Sequence, residues 1–180
     1  MIEFDRITTR GGDRGESSLF NGERRRKDDL LFDAMGDVDE ANVSIGVARA
    51  HLQNEQTKRL LHDLQQVLFK IGAQIATPPN DALYGQIKHV VQEDIDELET
   101  IQKRLMDRIE IGPVFVTPGD SMAGALIDVS RTVVRRAERT IVACIRDRHM
   151  NHLVLCQNYL NRLSDYLFVL ARGADQNIVS

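Results

Sequence analysis

Aromatic side chains are scarce in this chain of 180 residues: they make up 5% of the composition, and Trp is absent. Hydrophobic residues still make up 42% and charged residues 28%, which argues against an intrinsically disordered chain. Leu, Ile, Val and Ala supply most of the apolar content, and this favours helices. The length is sufficient for one domain with a sizeable core.

Several kinds of segment and site are missing as well. Cys144 and Cys156 lack metal-ligand spacing, so we expect reduced, half-buried core residues and no disulfide framework. The segment Met1–Asp5 is acidic and is not the apolar stretch of a signal peptide, and no apolar run reaches membrane-span length. A net charge of -4 argues against wholesale nucleic-acid binding and confines any anion site to a local patch. We therefore expect a cytoplasmic protein without nucleic-acid or membrane partners.

Apolar residues recur at helical spacing in five segments, about 28–52, 57–75, 90–109, 121–147 and 153–172. Strand-like alternation is almost missing, and neither an internal repeat nor a second domain is visible. The pattern predicts an all-α fold, a bundle of five long helices in a single domain over residues 1–180. Within it, segment 1–27 precedes the bundle of residues 28–172.

Capping and helix-breaking residues mark the ends of these helices. Pro78 and Pro79 stop the second helix, and either Asp120 or Ser121 caps the fourth. Gly173 is expected to end the fifth helix. The apolar stripes of the third and fourth helices include Val91, Met122 and Val129 as core positions.

A glycine-rich segment near the N-terminus is the clearest candidate for a ligand site. Three glycines and an aspartate fall within five residues, in the run Thr9-Arg10-Gly11-Gly12-Asp13-Arg14-Gly15-Glu16-Ser17-Ser18. Such turns point backbone N–H groups into one concavity that suits phosphate oxygens, and Lys27 can add a point charge. The run lacks the Gly-Lys-Ser/Thr ending of a Walker A loop. On composition alone, an ordinary N-terminal loop with turn glycines is the alternative.

The fourth helix carries Arg131, Arg135, Glu138 and Arg139 at spacings that share one face. The stripe contains arginine and no lysine, and the guanidinium fork suits bidentate contacts with phosphate or carboxylate. A salt-bridge stripe at a surface or interface is the alternative.

Two polar residues stand beside the apolar stripes of other helices. Asn161 interrupts the leucine-rich fifth helix, where it either caps a buried network or contacts a ligand. Asp39 lies one residue off the stripe of the first helix, so it either faces solvent or pairs with an arginine of the fourth helix, within a chain or across subunits. The five His residues form neither a ligand set nor a catalytic dyad.

Taken in order, these motifs resemble those of the PduO-type ATP:cob(I)alamin adenosyltransferases. The resemblance spans about residues 7–172. Gly11, Ala41 and Asp120 depart from the family pattern, which more often has Thr or Asn, Leu, and a second Gly at these positions. The matching segments are Thr9–Ser17, Lys27–Asp29, Gly36–Asn42, Phe115–Gly119, Arg131–Arg139 and Tyr159–Asp165.

The resemblance implies a ferritin-like helical bundle, a homotrimer with sites between subunits, and a reaction. The 5′-deoxyadenosyl group of ATP passes to Co(I) of reduced cobalamin, and triphosphate leaves. No protein metal ligands are implied, and Mg²⁺ is expected through the ATP phosphates. A corrinoid reductase and an adenosylcobalamin-dependent enzyme are the implied protein partners.

The resemblance also assigns roles to residues. Asp39 and Arg131 would form an intersubunit ion pair, and Phe115 would press on the lower face of cobalt to exclude the axial ligand. The N-terminal loop would bind the phosphates, and residues of the two C-terminal helices would complete the ATP site. The residues so implied are Thr9, Arg10, Gly11, Gly12, Asp13, Arg14, Gly15, Ser17 and Lys27 in the N-terminal segment, and Arg135, Glu138, Arg139 and Asn161 in the helices.

Two other functions remain open at this stage. A nucleotide sensor of the same fold would bind ATP without alkylating cobalt. A helical interaction module would bind neither substrate, and its arginines would only pair with carboxylates.

Overall fold

A computed structural model describes residues 7–113 and 115–179. Over these residues the chain forms five long helices and one short antiparallel hairpin, which confirms the predicted all-α bundle. The hairpin was not predicted. The elements are β1 (Glu16–Ser18), β2 (Arg24–Arg26), α1 (Leu30–His51), α2 (Glu55–Ala76), α3 (Gln92–Met106), α4 (Met122–Arg148) and α5 (Val154–Asp175), with single turns of 3₁₀ helix at Tyr84–Gln86 and Asn151–Leu153.

Side-chain caps fix the starts of three helices. Asp29 accepts from the N–H of Leu31 at 3.0 Å at the start of α1. Of the two expected caps of α4, Ser121 is the one used, and its hydroxyl accepts from the N–H of Gly124 at 2.9 Å. These bonds satisfy donors that a helix start otherwise leaves unpaired. Asn54 caps α2 in the same way.

The expected end of α5 at Gly173 is wrong, because the helix continues to Asp175. A Cβ on Gly173 would lie 3.3 Å from a methyl carbon of Val179. This glycine therefore allows the C-terminal segment to pack closely against α5 and does not end the helix.

Three predicted core positions are also wrong. Val91, Met122 and Val129 are 42%, 70% and 54% exposed, whereas Val90 and Ile127 are buried. Val91 is the N-cap residue of α3 and is exposed, whereas the residue before it, Val90, is buried. In the first half of α4 the buried face includes a charged residue that the apolar pattern could not include, Asp128.

Both cysteines are free and lie fully in the core, deeper than expected. Burial raises the pKa of the Cys144 thiol to about 11 and that of Cys156 to about 12. Neither thiol is therefore poised for nucleophilic or metal chemistry at neutral pH.

Helix α4 packs between α1 and α5, while α2 packs on α1 and α3 packs on α5. With 27 residues, α4 is about 40 Å long. The hairpin lies at the C-terminal end of α4, where Arg148 approaches Asp29 at 3.6 Å. The connector that precedes α4 lies at the other end, where Ser121 donates to Asp175 at 2.7 Å. The glycine-rich loop and the Phe115 connector therefore lie at opposite ends of the bundle.

No helix in the described part of the chain combines the length and apolar character needed to cross a membrane.

Candidate functional site

The glycine-rich loop consists of two consecutive turns. The N–H of Asp13 donates to the carbonyl of Arg10 at 3.3 Å, and that of Gly15 donates to Gly12 at 3.1 Å. Arg10 and Gly15 both have positive φ, at 55° and 79°. Among the described residues, the amides of Gly12 and Arg14 have no acceptor. The turns thus leave N–H donors available to an anion.

Lys27 lies against this loop although it is distant in sequence. The hairpin register pairs Glu16 with Arg26, so the residue after β2 meets the residue before β1. The N–H of Lys27 donates to the carbonyl of Gly15 at 2.8 Å. A Cβ built on Gly12 would lie 2.8 Å from the Lys27 Nζ. The ammonium and the two turns therefore face one ligand position, and a Cβ at residue 12 would require the end of the Lys27 side chain to shift.

Arg24 supports the loop from the second strand, a role that the sequence did not indicate. Its Nη2 donates to the carbonyl of Gly11 at 2.7 Å and lies 3.4 Å from a carboxylate oxygen of Glu16. Thr9 closes the other side, where its hydroxyl accepts from the N–H of Gly11 at 3.4 Å. Ser17 lies within β1, opposite Arg25.

The acidic cluster of α1, which consists of Asp37, Asp39 and Glu40, divides between two directions. Arg136 of α4 donates to Asp37 at 3.0 Å and also bonds to Glu40. These hydrogen bonds raise the pKa of the Arg136 guanidinium. Thr140 donates to the other oxygen of Asp37 at 2.5 Å. Asp39 instead is exposed and has no ion partner within 7–113 and 115–179.

Glu138 and Asn161 are joined, as their positions on α4 and α5 allow. The Asn161 amide donates to the Glu138 carboxylate at 3.0 Å, and its carbonyl accepts from Arg162 at 2.7 Å. Arg162 in turn donates to Glu99 of α3 at 2.7 Å. This chain of bonds fixes the orientation of both residues on the face where α4 meets α5.

Arg131 and Arg135 line a groove of about 480 Å³ between α3, α4 and α5. Its apolar side includes Ile111 of the connector and Phe168 of α5. Arg139 lies elsewhere, in a groove between α1 and α4. The arginine stripe, expected on one face, therefore spreads over two neighbouring grooves.

Phe115 is fully exposed in the connector. It does not line the groove between α3, α4 and α5, although Ile111 at the start of the connector does. The next residue toward the N-terminus, Val114, lies outside the described residues. The ring therefore packs against none of the described residues of its own chain.

A buried ion pair beneath Arg131 was missed by the sequence analysis. Asp128 accepts from the Nε of Arg131 at 2.7 Å and from Nη2 of Arg172 at 2.7 Å. Asp128 and Arg172 are each 4% exposed. The charges of Asp128 and Arg172 are the sequence feature that could have indicated this pair. Each charge interrupts an apolar stripe, and the two helices face each other.

The structure brings some predicted site residues together and separates others. Lys27 joins the glycine-rich loop, Glu138 joins Asn161, and Arg131 joins Arg135. Arg131 lies 17 residues before the end of α4, about 25 Å along the helix from the contact that anchors the loop. One chain alone therefore does not assemble all of them into a single site.

In the described part of the chain, no group of three His, Cys, Asp or Glu side chains is close enough to hold a metal ion.

Comparison with known proteins gives a consistent result. The sequence matches the family described as cobalamin adenosyltransferase over residues 7–174. The corrinoid adenosyltransferase of Citrobacter freundii is 38% identical over 169 residues, with 93% of each chain covered. That of Mycobacterium leprae is 40% identical over 180 residues, with 97% of this chain and 93% of the relative covered.

A solved structure shares the fold. A variant of the PduO-type ATP:corrinoid adenosyltransferase from Lactobacillus reuteri, complexed with cobalamin and ATP, superposes with a TM-score of 0.86 at 30% identity. The alignment covers 94% of this chain and 93% of that chain. Because both the sequence and the fold match over nearly the whole length, the chain belongs to the cobalamin adenosyltransferase family.

Proposed function

We propose that the protein transfers the 5′-deoxyadenosyl group of ATP to Co(I) of a reduced corrinoid and releases triphosphate. Each site would combine the glycine-rich loop of one subunit with the α4–α5 face of its neighbour. The family match supports the reaction. The main support for a site shared between subunits is that Lys27 and Arg131 lie toward opposite ends of one bundle. A single chain therefore cannot bring both residues to one ligand.

The reaction itself needs no protein nucleophile. The Co(I) electron pair attacks C5′, the C5′–O bond breaks, and its electrons leave with the triphosphate. The protein must instead hold C5′ in line with cobalt and stabilise charge on the leaving group. This fits a site rich in arginine and backbone N–H donors, with buried thiols and scattered histidines that play no part.

The loop supplies the anion-binding half of this site. The free amides of Gly12 and Arg14 and the ammonium of Lys27 would contact the triphosphate. Fixed donors of this kind cost little reorganisation as charge develops. The remaining loop residues, Thr9, Arg10, Gly11, Asp13, Gly15 and Ser17, shape the two turns and the strand that present these donors.

The α4–α5 face supplies the other half. Arg135 of this face would contact the nucleotide or its phosphates as a bidentate cation. Arg139 would approach the nucleotide from the adjoining groove between α1 and α4. Glu138 and Asn161 already bond to each other, so they present an ordered pair of polar groups to the nucleotide.

Mg²⁺ fits this site only through the nucleotide. No trio of ligands exists among the described residues, and Mg²⁺ is commonly held by one or two carboxylates with substrate phosphates and water. Asp13, exposed in the loop, is the nearest carboxylate in sequence to the proposed phosphate donors. When bound, the ion would neutralise phosphate charge.

The corrinoid would occupy the groove lined by Phe168 and Ile111, beside the Phe115 connector. The Phe115 ring would cover the lower face of cobalt and exclude an axial ligand. Four-coordinate Co(II) is easier to reduce to Co(I). A reductase must then supply the electron, and an adenosylcobalamin-dependent enzyme would use the product.

A homotrimer would bring the two halves together. Exposed apolar side chains on two helices support such an interface: Val43 and Val47 of α1 and Val129 of α4 are 61%, 44% and 54% exposed. Asp39 lies one helical turn before Val43 and faces outward. Its exposure supports the proposal that it pairs with Arg131 of a neighbouring subunit.

The deciding experiment is an anaerobic assay with ATP and chemically reduced cobalamin, followed by the absorbance of adenosylcobalamin. We expect stoichiometric release of triphosphate. ATP binding without cobalt alkylation would instead identify a nucleotide sensor, and absence of binding to both substrates would identify a helical interaction module.

A further inference from the structure

The groove between α3, α4 and α5 rests on charges that are buried beneath it. Asp128 of α4 and Arg172 of α5 pair at 2.7 Å, and Arg172 also lies 2.8 Å from Asp175. Arg131 completes a set of two cations and two anions, so the formal charges cancel. Burial of such a set is costly unless every charge is paired.

The buried set contacts the groove at two points. The Arg131 Nε donates to Asp128 at 2.7 Å, while the Arg131 side chain lines the groove. The Arg172 guanidinium lies 5.6 Å from the centre of the Phe168 ring, which lines the same groove. Two groove residues from two helices are thus held by one buried pair.

The way in which Arg131 is held is informative. Asp128 uses the Nε of the guanidinium, and no hydrogen bond from either Nη of Arg131 is present among the described residues. A guanidinium can bind an anion bidentately through its remaining edge. Asp128 therefore fixes the plane of the group and leaves its terminal nitrogens for another partner.

The same set also anchors the start of α4. Asp175 accepts from the hydroxyl of Ser121 at 2.7 Å, and Ser121 caps the helix. The connector that carries Phe115 ends at this cap. A change in the buried set would consequently shift both Arg131 and the connector.

We propose that Asp128, held by Arg172, is a positioning residue that fixes the Arg131 guanidinium in the groove for its contact in the adenosyl transfer site. The inference rests on the proposed function for the identity of that contact. Asp128 itself touches no substrate, because its carboxylate is buried between two arginines.

The main test is a double-mutant cycle on turnover with pre-reduced cobalamin. Asp128→Asn should lower kcat about 10- to 100-fold, because a misplacement of about 1 Å can cost on the order of 100-fold. ATP affinity should stay within about twofold, because the Asp128 carboxylate is buried and is held by Arg131 and Arg172. In an Arg131→Ala background, Asp128→Asn should have little further effect. Multiplicative losses in the cycle would overturn the proposal.

A matched control separates positioning from stability. Lys70 and Asp94 form another interhelix ion pair at 2.7 Å, and Asp94 has no part in the groove. Asp94→Asn should lower the melting temperature and leave kcat close to that of the unmodified enzyme. An equal loss of kcat in Asp94→Asn would show that general destabilisation explains the effect.

Two further measurements keep the test decisive. If Asp128→Asn does not fold, Asp128→Glu can be used instead, because it keeps the negative charge beside Arg172 and moves the carboxylate by about one bond. The kcat of this variant should still fall. Full turnover would contradict the proposal. The NMR signal of the Arg131 Nε–H, assigned by its loss in Arg131→Lys, should lose its protection from exchange in Asp128→Asn. This signal tests whether Asp128 holds Arg131 even if the unmodified protein makes no adenosylcobalamin, an outcome that would refute the proposed function alone.

Discussion

Arg136 of α4 donates to Asp37 of α1 at 3.0 Å and also bonds to Glu40, so both of these carboxylates face α4. Asp39 lies two residues after Asp37, which corresponds to a rotation of about 200° around the helix axis. Asp39 therefore faces away from α4. The cluster thus combines a contact within the chain with a carboxylate that is available to another subunit.

Subunit mixing tests this division. Asp39→Asn and Arg131→Ala should each abolish most of the activity, but mixed trimers of the two inactive variants should recover some of it. An interface is intact where an unmodified Asp39 meets an unmodified Arg131, which occurs at about one of three interfaces in a mixed ring. Co-refolded mixtures should be assayed against the separate variants. Failure to recover activity, with mixed trimers demonstrated, would contradict the intersubunit pair.

The Lys27 ammonium should contribute strongly to ATP binding. Lys27→Ala should weaken affinity about 10- to 100-fold, because a charge-assisted contact is worth roughly 1.5–3 kcal/mol. Helicity should be unchanged, because Lys27 lies outside the bundle. Calorimetric titration with ATP measures the effect, and unchanged affinity would exclude Lys27 from the site.

The loop glycines provide a paired test of the same geometry. Gly12→Ala should weaken ATP binding, because the new Cβ would lie 2.8 Å from the Lys27 Nζ and the ammonium would have to shift. Gly11→Ala is the matched control: its Cβ would lie 3.5 Å from the nearest atom, the Thr9 hydroxyl, which is ordinary contact. Equal losses of ATP affinity in the two variants would argue against a specific role of the Gly12–Lys27 contact.

Phe115→Ala should mainly impair turnover that starts from cob(II)alamin. Activity with pre-reduced cob(I)alamin should suffer much less, because that species already lacks a lower ligand. Stability should barely change, because the ring is fully exposed in the single chain. The Co(II) spectrum with ATP gives the direct measurement. An undiminished four-coordinate signal in the variant would show that another group excludes the ligand.

The His152 ring makes stability depend on pH. Burial lowers its pKa from the ordinary value near 6.5, and its Nε2 is buried without a hydrogen-bond partner among the described residues. Protonation below about pH 6.5 therefore favours the unfolded chain. The melting temperature should fall from pH 7.5 to pH 5.5, and His152→Gln should reduce that fall. His51→Gln, at an exposed position, is the control and should retain the full fall.

The helices could be predicted from the sequence because apolar spacing and caps are local signals. Ser121 was one of two expected caps, and the apolar stripe of α5 (Leu160, Leu163, Leu167 and Leu170) lies in the core as expected. The errors arose where tertiary contacts overrode the pattern. Asp128 occupies a core position because Arg172 lies opposite, and Gly173 lies within the helix, at a position where a Cβ would lie 3.3 Å from Val179. Neither partner is visible from spacing within one helix.

The sequence was sufficient to predict which residues belong to the candidate site. It was not sufficient to predict how most of them are arranged in space. The loop composition indicated an anion site, but only the β1–β2 register shows that Lys27 reaches Gly12. Arg139 shares a stripe with Arg135 in sequence and lies in another groove in the structure. The roles of Asp39, Arg131 and Phe115 stay predictions, because their proposed partners belong to another subunit or to the corrinoid.

Helix α4, about 40 Å long, joins the end that holds the loop to the end that holds the connector. If neighbouring subunits complete each other's sites, a subunit with a damaged loop inactivates the groove of its neighbour. The groove of the damaged subunit itself stays active, because the loop of the other neighbour completes it. Catalysis then becomes a property of the closed ring and obeys mass action. Specific activity should consequently decline on dilution, at the concentration where the ring separates into chains that each remain folded.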